Sequence, residues 1–293
     1  MGRITKPAAA ETGLAQGTPV IGGAIDAAAE AISAGIRDFG DMMMMFGSSN
    51  SIIYKSKKLV RTENFWGLNW VEPGTFSVVG GMSTVGSLTR WFRDNLSPLE
   101  LAGHEAGEEN AYASLAKLAA ASPPGANGLI VLPYFEGERT PIYDPDAKGV
   151  YFGLTLKHNR ADMYRALLEG VGFGIRHNIE TLQKEGLTAK RILAVGGGTK
   201  NLVWMQIISD IANLQMVVPE QQIGSSYGDA FMAGVGVGIF EGLQDIDQWV
   251  SHAAVIQPNP KRNANYAPYY EIYRNLYAQT KNLMHDLARL TRE

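Results

Sequence analysis

Apolar runs of strand length alternate along the chain with stretches in which apolar residues recur at helical spacing. Asp41-Met42-Met43-Met44-Met45-Phe46 is a continuous apolar run, and Gly47-Ser48-Ser49-Asn50 punctuates it. Ser51-Ile52-Ile53-Tyr54 follows, so the pattern predicts a hairpin-like pair with a small-residue tip. Thr18-Pro19-Val20-Ile21 reads as a short buried strand, broken by Gly22-Gly23. Asp26 then opens an Ala-rich helix over residues 27–36. Further strand signals lie at residues 69–79, 129–132, 192–195 and 215–218. Helix is predicted around Leu88, Trp91 and Phe92, at 111–121, at 202–212 and over the Ala- and Gly-rich residues 228–240. Within residues 162–185, Leu167, Leu168, Val171, Ile175, Ile179 and Leu182 keep helical period. Tyr269, Tyr273, Leu276, Thr280, Leu283 and Leu287 mark a long C-terminal helix, and residues 133–150 read as irregular. Alternating strands and helices argue for an α/β fold.

Composition narrows the chemistry. The chain has 293 residues, 45% hydrophobic and 19% charged, which is ordinary for one large or two small globular domains. Lys plus Arg total 26 against 29 Asp plus Glu, a net charge of −3, so nothing points to nucleic acid or an anionic membrane surface. There is no cysteine, which excludes disulfides, thiol catalysis and Cys-ligated zinc and fits a cytoplasmic setting. The five histidines show no metal-ligand spacing.

Three junctions place glycine and small hydroxyl residues just after a strand: Gly22-Gly23 with Asp26, Gly47-Ser48-Ser49, and Gly196-Gly197-Gly198 with Asn201. Such junctions let backbone N–H groups approach a phosphate or ribose without a Cβ in the way. One alone is a plain turn; three in an α/β chain favour a nucleotide site. There is no GxxxxGK[ST] motif. Gly234-Val235-Gly236-Val237-Gly238 lies inside a helix-like stretch, so it reads as close helix packing and not as a dinucleotide fingerprint. Asp26 has two readings, a helix N-cap or a general base kept ionised at a helix N-terminus.

In this order the residues resemble the C-terminal half of the FGGY family of carbohydrate kinases, the xylulokinase-like members above all. Gly137-Glu138-Arg139-Thr140-Pro141, then Ala147-Lys148-Gly149-Val150-Tyr151-Phe152-Gly153-Leu154 and Tyr164-Arg165-Ala166-Leu167-Leu168-Glu169-Gly170, resemble the family's C-terminal signature. Gly17-Thr18-Pro19-Val20 with Gly22, Gly23 and Asp26 resembles the segment that supplies the catalytic Asp, and Gly196-Gly197-Gly198 with Trp204, Gln206 and Asp210 resembles the adenosine motif. The resemblance implies an actin-like, ribonuclease-H-like ATPase domain over residues 1–293, the C-terminal half of a two-domain sugar kinase using ATP and Mg²⁺. It implies Asp26 as the base that takes a proton from a sugar hydroxyl, and Gly47, Ser48 and Ser49 at the terminal phosphates. Gly86 and Arg90 would line the nucleotide site, Gly197, Gly198 and Asn201 would hold the adenosine, and residues 228–238 would connect the two domains. Glu138 and Arg139 receive no role beyond shaping their loop.

Family members are nearly twice as long, and their first domain carries another phosphate loop, a magnesium-associated Asp and most of the sugar contacts. Met1-Gly2-Arg3-Ile4-Thr5 reads as a chain cut at the junction between domains: a separately produced domain, a truncated product or one half of a split kinase. The expected partners are a small sugar or polyol and an N-terminal kinase domain, in cis or in trans, with a homodimer left open. The chain alone is expected to bind nucleotide weakly and not to turn over sugar. A non-catalytic nucleotide-binding regulatory module and a polymerising actin-like protein are the competing classes; an acid at Asp26 favours the enzyme.

Overall fold

The computed structural model describes residues 2–291. In chain order it contains β1 (Gly2–Arg3), α1 (Lys6–Thr12), β2 (Pro19–Val20), α2 (Asp26–Ser33), β3 (Asp41–Phe46), β4 (Asn50–Ser56), β5 (Trp66–Asn69) and β6 (Phe76–Gly80). Then come α3 (Gly86–Leu96), α4 (Pro98–Glu105), α5 (Ala111–Ala121), β7 (Ile130–Leu132), β8 (Val150–Phe152) and α6 (Arg160–Lys184). The chain ends with β9 (Arg191–Val195), α7 (Leu202–Ala212), β10 (Met216–Pro219), α8 (Ser225–Gly236), β11 (His252–Ile256) and α9 (Pro260–Thr291).

Seven strands form the central sheet in the order β11-β10-β9-β3-β4-β6-β5. β3, β9 and β10 run parallel, whereas β3–β4, β4–β6, β6–β5 and β10–β11 are antiparallel. The methionine run explains why β3 sits at the centre. With a side-chain period of two, Met42, Met44 and Phe46 enter one core and Met43 enters the other. A strand covered on both faces reads as continuous apolar sequence, not as alternation. β9 does the same: Ile192 and Ala194 face one side, Leu193 and Val195 the other.

The larger core packs the sheet against α6, α7 and α9. α6 is buried along most of its 25 residues and opens with a full capping box, Asn159 accepting the Ala161 and Asp162 amides while Asp162 accepts the Asn159 amide. The Arg165–Glu169 ion pair at 2.7 Å lies within this layer, and the Tyr266 hydroxyl bonds both partners. Burying the pair is tolerable only because these bonds complete it. Tyr266, Tyr270 and Tyr273 of α9 are buried against their own domain. On the other face α2 buries Ala28, Ala29, Ala31 and Ile32 against α8, where Gly228 sits against the Ala29 carbonyl. Close packing on α2 falls to Gly228, whereas Gly234 and Gly236, where the sequence pattern suggests helix packing, lie against Phe240 and Ile21 outside any helix.

Two of the expected strands differ from expectation, and the helix expected over residues 228–240 ends at Gly236. Residues 18–21 are not a buried strand: Pro19 and Val20 are exposed and pair only with Arg3 and Gly2 in a two-stranded ribbon apart from the main sheet. Apolar content makes a strand, but burial needs a second layer, and this ribbon has none. The signal over residues 69–79 splits into β5 and β6, because Trp70 bonds Thr75 and Thr75 bonds Glu72 around a turn.

Candidate functional site

Two of the three glycine-rich junctions come together. Gly47 follows β3 and Gly196 follows β9, and these strands are parallel neighbours with Met45 opposite Val195. Both loops therefore leave the same edge of the sheet, the carboxyl end of parallel strands, where α/β sheets bind ligands. Phe46 lies between them: a Cβ on Gly196 would press on the Phe46 backbone, and one on Gly198 would lie 2.8 Å from the Phe46 Cβ. Gly196 also has φ +92°, a conformation that other residues rarely adopt. Its amide donates to Gln222 Oε1 at 2.9 Å, a brace with no signal in the sequence.

The 47–50 turn is fixed from behind by the start of α3. The Gly86 amide donates to the Gly47 carbonyl at 2.9 Å, and the Val85 and Ser87 amides donate to the Ser48 carbonyl at 2.9 and 3.0 Å. The Ser87 hydroxyl donates to the same oxygen at 2.9 Å. A Cβ on residue 86 would overlap the Gly47 carbonyl oxygen, so only glycine allows this approach. Spending the carbonyls inward leaves the Ser48 side chain exposed and Ser49 half-buried at the turn's outer face. A hydroxyl and nearby amides on a turn of this kind suit phosphate oxygens.

Asn201 caps α7, its Oδ1 accepting the Trp204 amide at 3.0 Å. Its Nδ2 still has donors for a ligand. Trp204 and Asp210 are committed to the fold: the indole donates to the Leu168 carbonyl, and Asp210 accepts from Gln206, the Asn259 amide and Arg262. Beside this first turn opens a cavity of about 560 Å³ lined by Ser122, Pro123, Leu202, Val203, Gln206 and Arg262. Arg90 stands exposed on α3, one turn beyond Gly86.

Asp26 is the first residue of α2, exposed, with its carboxylate accepting the Ala27 amide at 2.7 Å; the N-cap position belongs to Ile25. It shares no hydrogen bond with the two loops among the described residues. One turn on, burial and the Asp26 charge push the Glu30 carboxyl above the ordinary carboxylate range. Among the described residues no group of three or more His, Asp or Glu could hold a metal ion.

The loop of Glu138 and Arg139 holds a role the sequence reading missed. The Glu138 Oε1 accepts the Ser83 amide at 2.7 Å and the Arg139 amide at 2.8 Å. Burial pushes its carboxyl up to about 7, against the pull of those bonds and of Arg139. The Arg139 guanidinium donates to the Met82 and Asn50 carbonyls at 2.8 and 3.1 Å. Thr140 accepts the Gly81 amide at 2.7 Å and meets Asn178 of α6 at 2.6 Å.

The sequence profile of the FGGY family of carbohydrate kinases, C-terminal domain, matches residues 42–237. The chain belongs to the FGGY family of carbohydrate kinases. Xylulose kinase of Bacillus subtilis is 32% identical over 289 residues, 97% of this chain and 55% of that protein. A ribulokinase of Bacillus licheniformis is 28% identical, covering 99% and 55%. The crystal structure of xylulose kinase from Rhodospirillum rubrum superposes with a TM-score of 0.88 at 35% identity, over 97% of this chain and 56% of that one. The α/β fold is thus the actin-like ATPase fold of the family's C-terminal domain. The chain spans about half the length of the curated relatives it matches.

Proposed function

We propose that this chain is the nucleotide-binding half of an ATP-dependent kinase of a small sugar or polyol, and that it also carries the catalytic base. A pentulose such as xylulose is the favoured substrate, because the similar proteins include several named xylulose kinase. The observation that carries the reading is the pairing of the 47–50 turn with the 196–201 loop at the ends of adjacent parallel strands, with Gly86 behind them.

The hydroxyls and amides of Ser48 and Ser49 would receive the terminal phosphates, with Gly47, whose own amide donates to the Ser49 carbonyl, completing the turn; Gly197, Gly198 and Asn201 would hold the adenosine, with Gly86 and Arg90 along its side. ATP, with Mg²⁺ on its phosphates, supplies the phosphoryl group. Phosphoryl transfer leaves the protein mainly positioning and charge neutralisation to perform. Asp26, exposed in the first turn of α2, is suited to accept the proton of the attacking sugar hydroxyl. An N-terminal kinase domain, in the same chain or added to it, would close over the exposed Asp26 and exclude water.

The test is calorimetric titration of the chain with Mg-ADP, then a sugar-dependent assay after adding a family-type N-terminal domain. Saturable ADP binding and a sugar-dependent rate that Asp26→Asn abolishes, with ADP affinity kept, support the proposal. ADP binding with no transfer to any small sugar or polyol, or transfer unchanged in Asp26→Asn, overturns the kinase or the base assignment respectively.

A further inference from the structure

The Glu138-Arg139-Thr140 stretch is far in sequence from the phosphate turn yet tied to it. Arg139 spans two carbonyls, Asn50 at the end of the turn and Met82 on the segment that leads into α3. Those two segments also bond one another, the Asn50 amide donating to the Met82 carbonyl at 3.0 Å. The Met82 carbonyl therefore receives a neutral and a charged donor at one point. Glu138 and Thr140 grip the same segment at Ser83 and Gly81. The loop's far side is anchored in the C-terminal helix: Glu138 exchanges backbone hydrogen bonds with Asp144, whose carboxylate meets Tyr277 at 2.7 Å and His285 at 2.8 Å. The contacts form one continuous strut from α6 and α9, through residues 138–140 and 81–87, to the turn at 47–50.

We propose that Arg139 is a positioning residue for the terminal phosphates: it holds the 47–50 turn and the 81–87 segment in register, so that the turn presents the amides and hydroxyls of Ser48 and Ser49 outward. It touches neither nucleotide nor sugar in this scheme, and it rests on the nucleotide reading above. A charge-assisted bond to a carbonyl is among the stronger hydrogen bonds in proteins. Both bonds leave one nitrogen, Nη2, whose two hydrogens lie in the guanidinium plane, so the planar group fixes their directions where a freely rotating lysine ammonium does not.

The strut is tested by amide hydrogen exchange and nucleotide titration of the chain and its Arg139→Ala and Arg139→Lys variants. Exchange at Asn50, Val85, Gly86 and Ser87 is expected to rise by at least about tenfold in Arg139→Ala, with α7 unchanged. The preference for Mg-ADP over AMP is expected to fall by about tenfold with AMP affinity kept, because only the phosphate contacts loosen. Millimolar guanidinium should restore the preference in the alanine variant, and Arg139→Lys should fall between, keeping the charge but not the planar geometry of the Nη2 hydrogens. If Arg139→Ala does not fold, the lysine variant reads the same two quantities. Unchanged exchange at those four amides overturns the strut. A rise shared equally by α7, or an equal fall in ADP and AMP affinity, overturns the positioning role in favour of general stability. If the wild-type chain binds neither nucleotide, the proposed function fails and the phosphate role with it, while the exchange data still decide the strut.

Discussion

Glu138 should make the stability of this chain fall as pH rises. Its side chain is 4% exposed, and its Oε2 has no hydrogen-bond partner. Burial penalises the charged form and moves the carboxyl from 4.5 to about 7. Between those values the folded chain holds a proton that the unfolded chain has released. Stability contributed by the neutral acid is therefore complete below about pH 4.5 and lost by about pH 7, at most about 3 kcal/mol. His177 acts in the opposite sense. Burial first, then Arg274 and Lys184, depress it from 6.5 to about 3, so its contribution grows as pH rises from 3 to 6.5. The two overlap, so the wild-type profile alone cannot separate them. Glu138→Gln can: the amide oxygen still accepts the Ser83 and Arg139 amides, and any fixed packing penalty is the same at every pH. The assay is urea unfolding followed by tryptophan fluorescence at pH 5 and pH 8. Relative to wild type, the Gln variant should gain about 2–3 kcal/mol on going from pH 5 to pH 8. A difference between the two proteins that does not change with pH would refute the reasoning.

Three further expectations follow from the same structure. His177→Gln should remove part of the acid sensitivity, raising the melting temperature relative to wild type at pH 4 more than at pH 7, because the folded neutral imidazole no longer opposes protonation. Gly86→Ala should lower Mg-ADP affinity by at least about tenfold in calorimetry and reduce stability by about 1–3 kcal/mol in urea, because its Cβ would displace the Gly47 carbonyl. Glu169→Ala should cost about 3–5 kcal/mol in urea unfolding, because it strands the buried Arg165 guanidinium beside Tyr266.

Where a signal is local, the sequence carries it. The run from Asp41 to Phe46 and the polar tip after it became β3 and its turn because strand length, side-chain period and turn chemistry are all properties of neighbouring residues. α7 follows its predicted bounds for the same reason, with Asn201 as cap and Asn213 in the left-handed conformation at its end. β11 went unread: its Ala-Ala-Val core alternates weakly, and as an edge strand it is mostly exposed. α4 was missed although Pro98 in its first turn and Glu100 beside it are start signals, because it buries none of its residues and so shows no apolar stripe.

The site divides along the same line. Glycines that admit a close approach stand out in the sequence, and Gly86, Gly196 and Gly198 lie where a turn or loop needs them, whereas a Cβ at Gly197 would meet open space. What holds those loops still does not stand out, because the partners are backbone carbonyls, and any residue has one. Arg139 reaches Asn50 across 89 positions and Met82 across 57; Gln222 reaches Gly196 across 26. A motif such as Gly137-Glu138-Arg139-Thr140-Pro141 can therefore be recognised without its function being legible. Its charged side chains point inward to main-chain atoms, and the physical reason for that arrangement exists only once the sheet has brought β4, β6 and the residues 138–140 together.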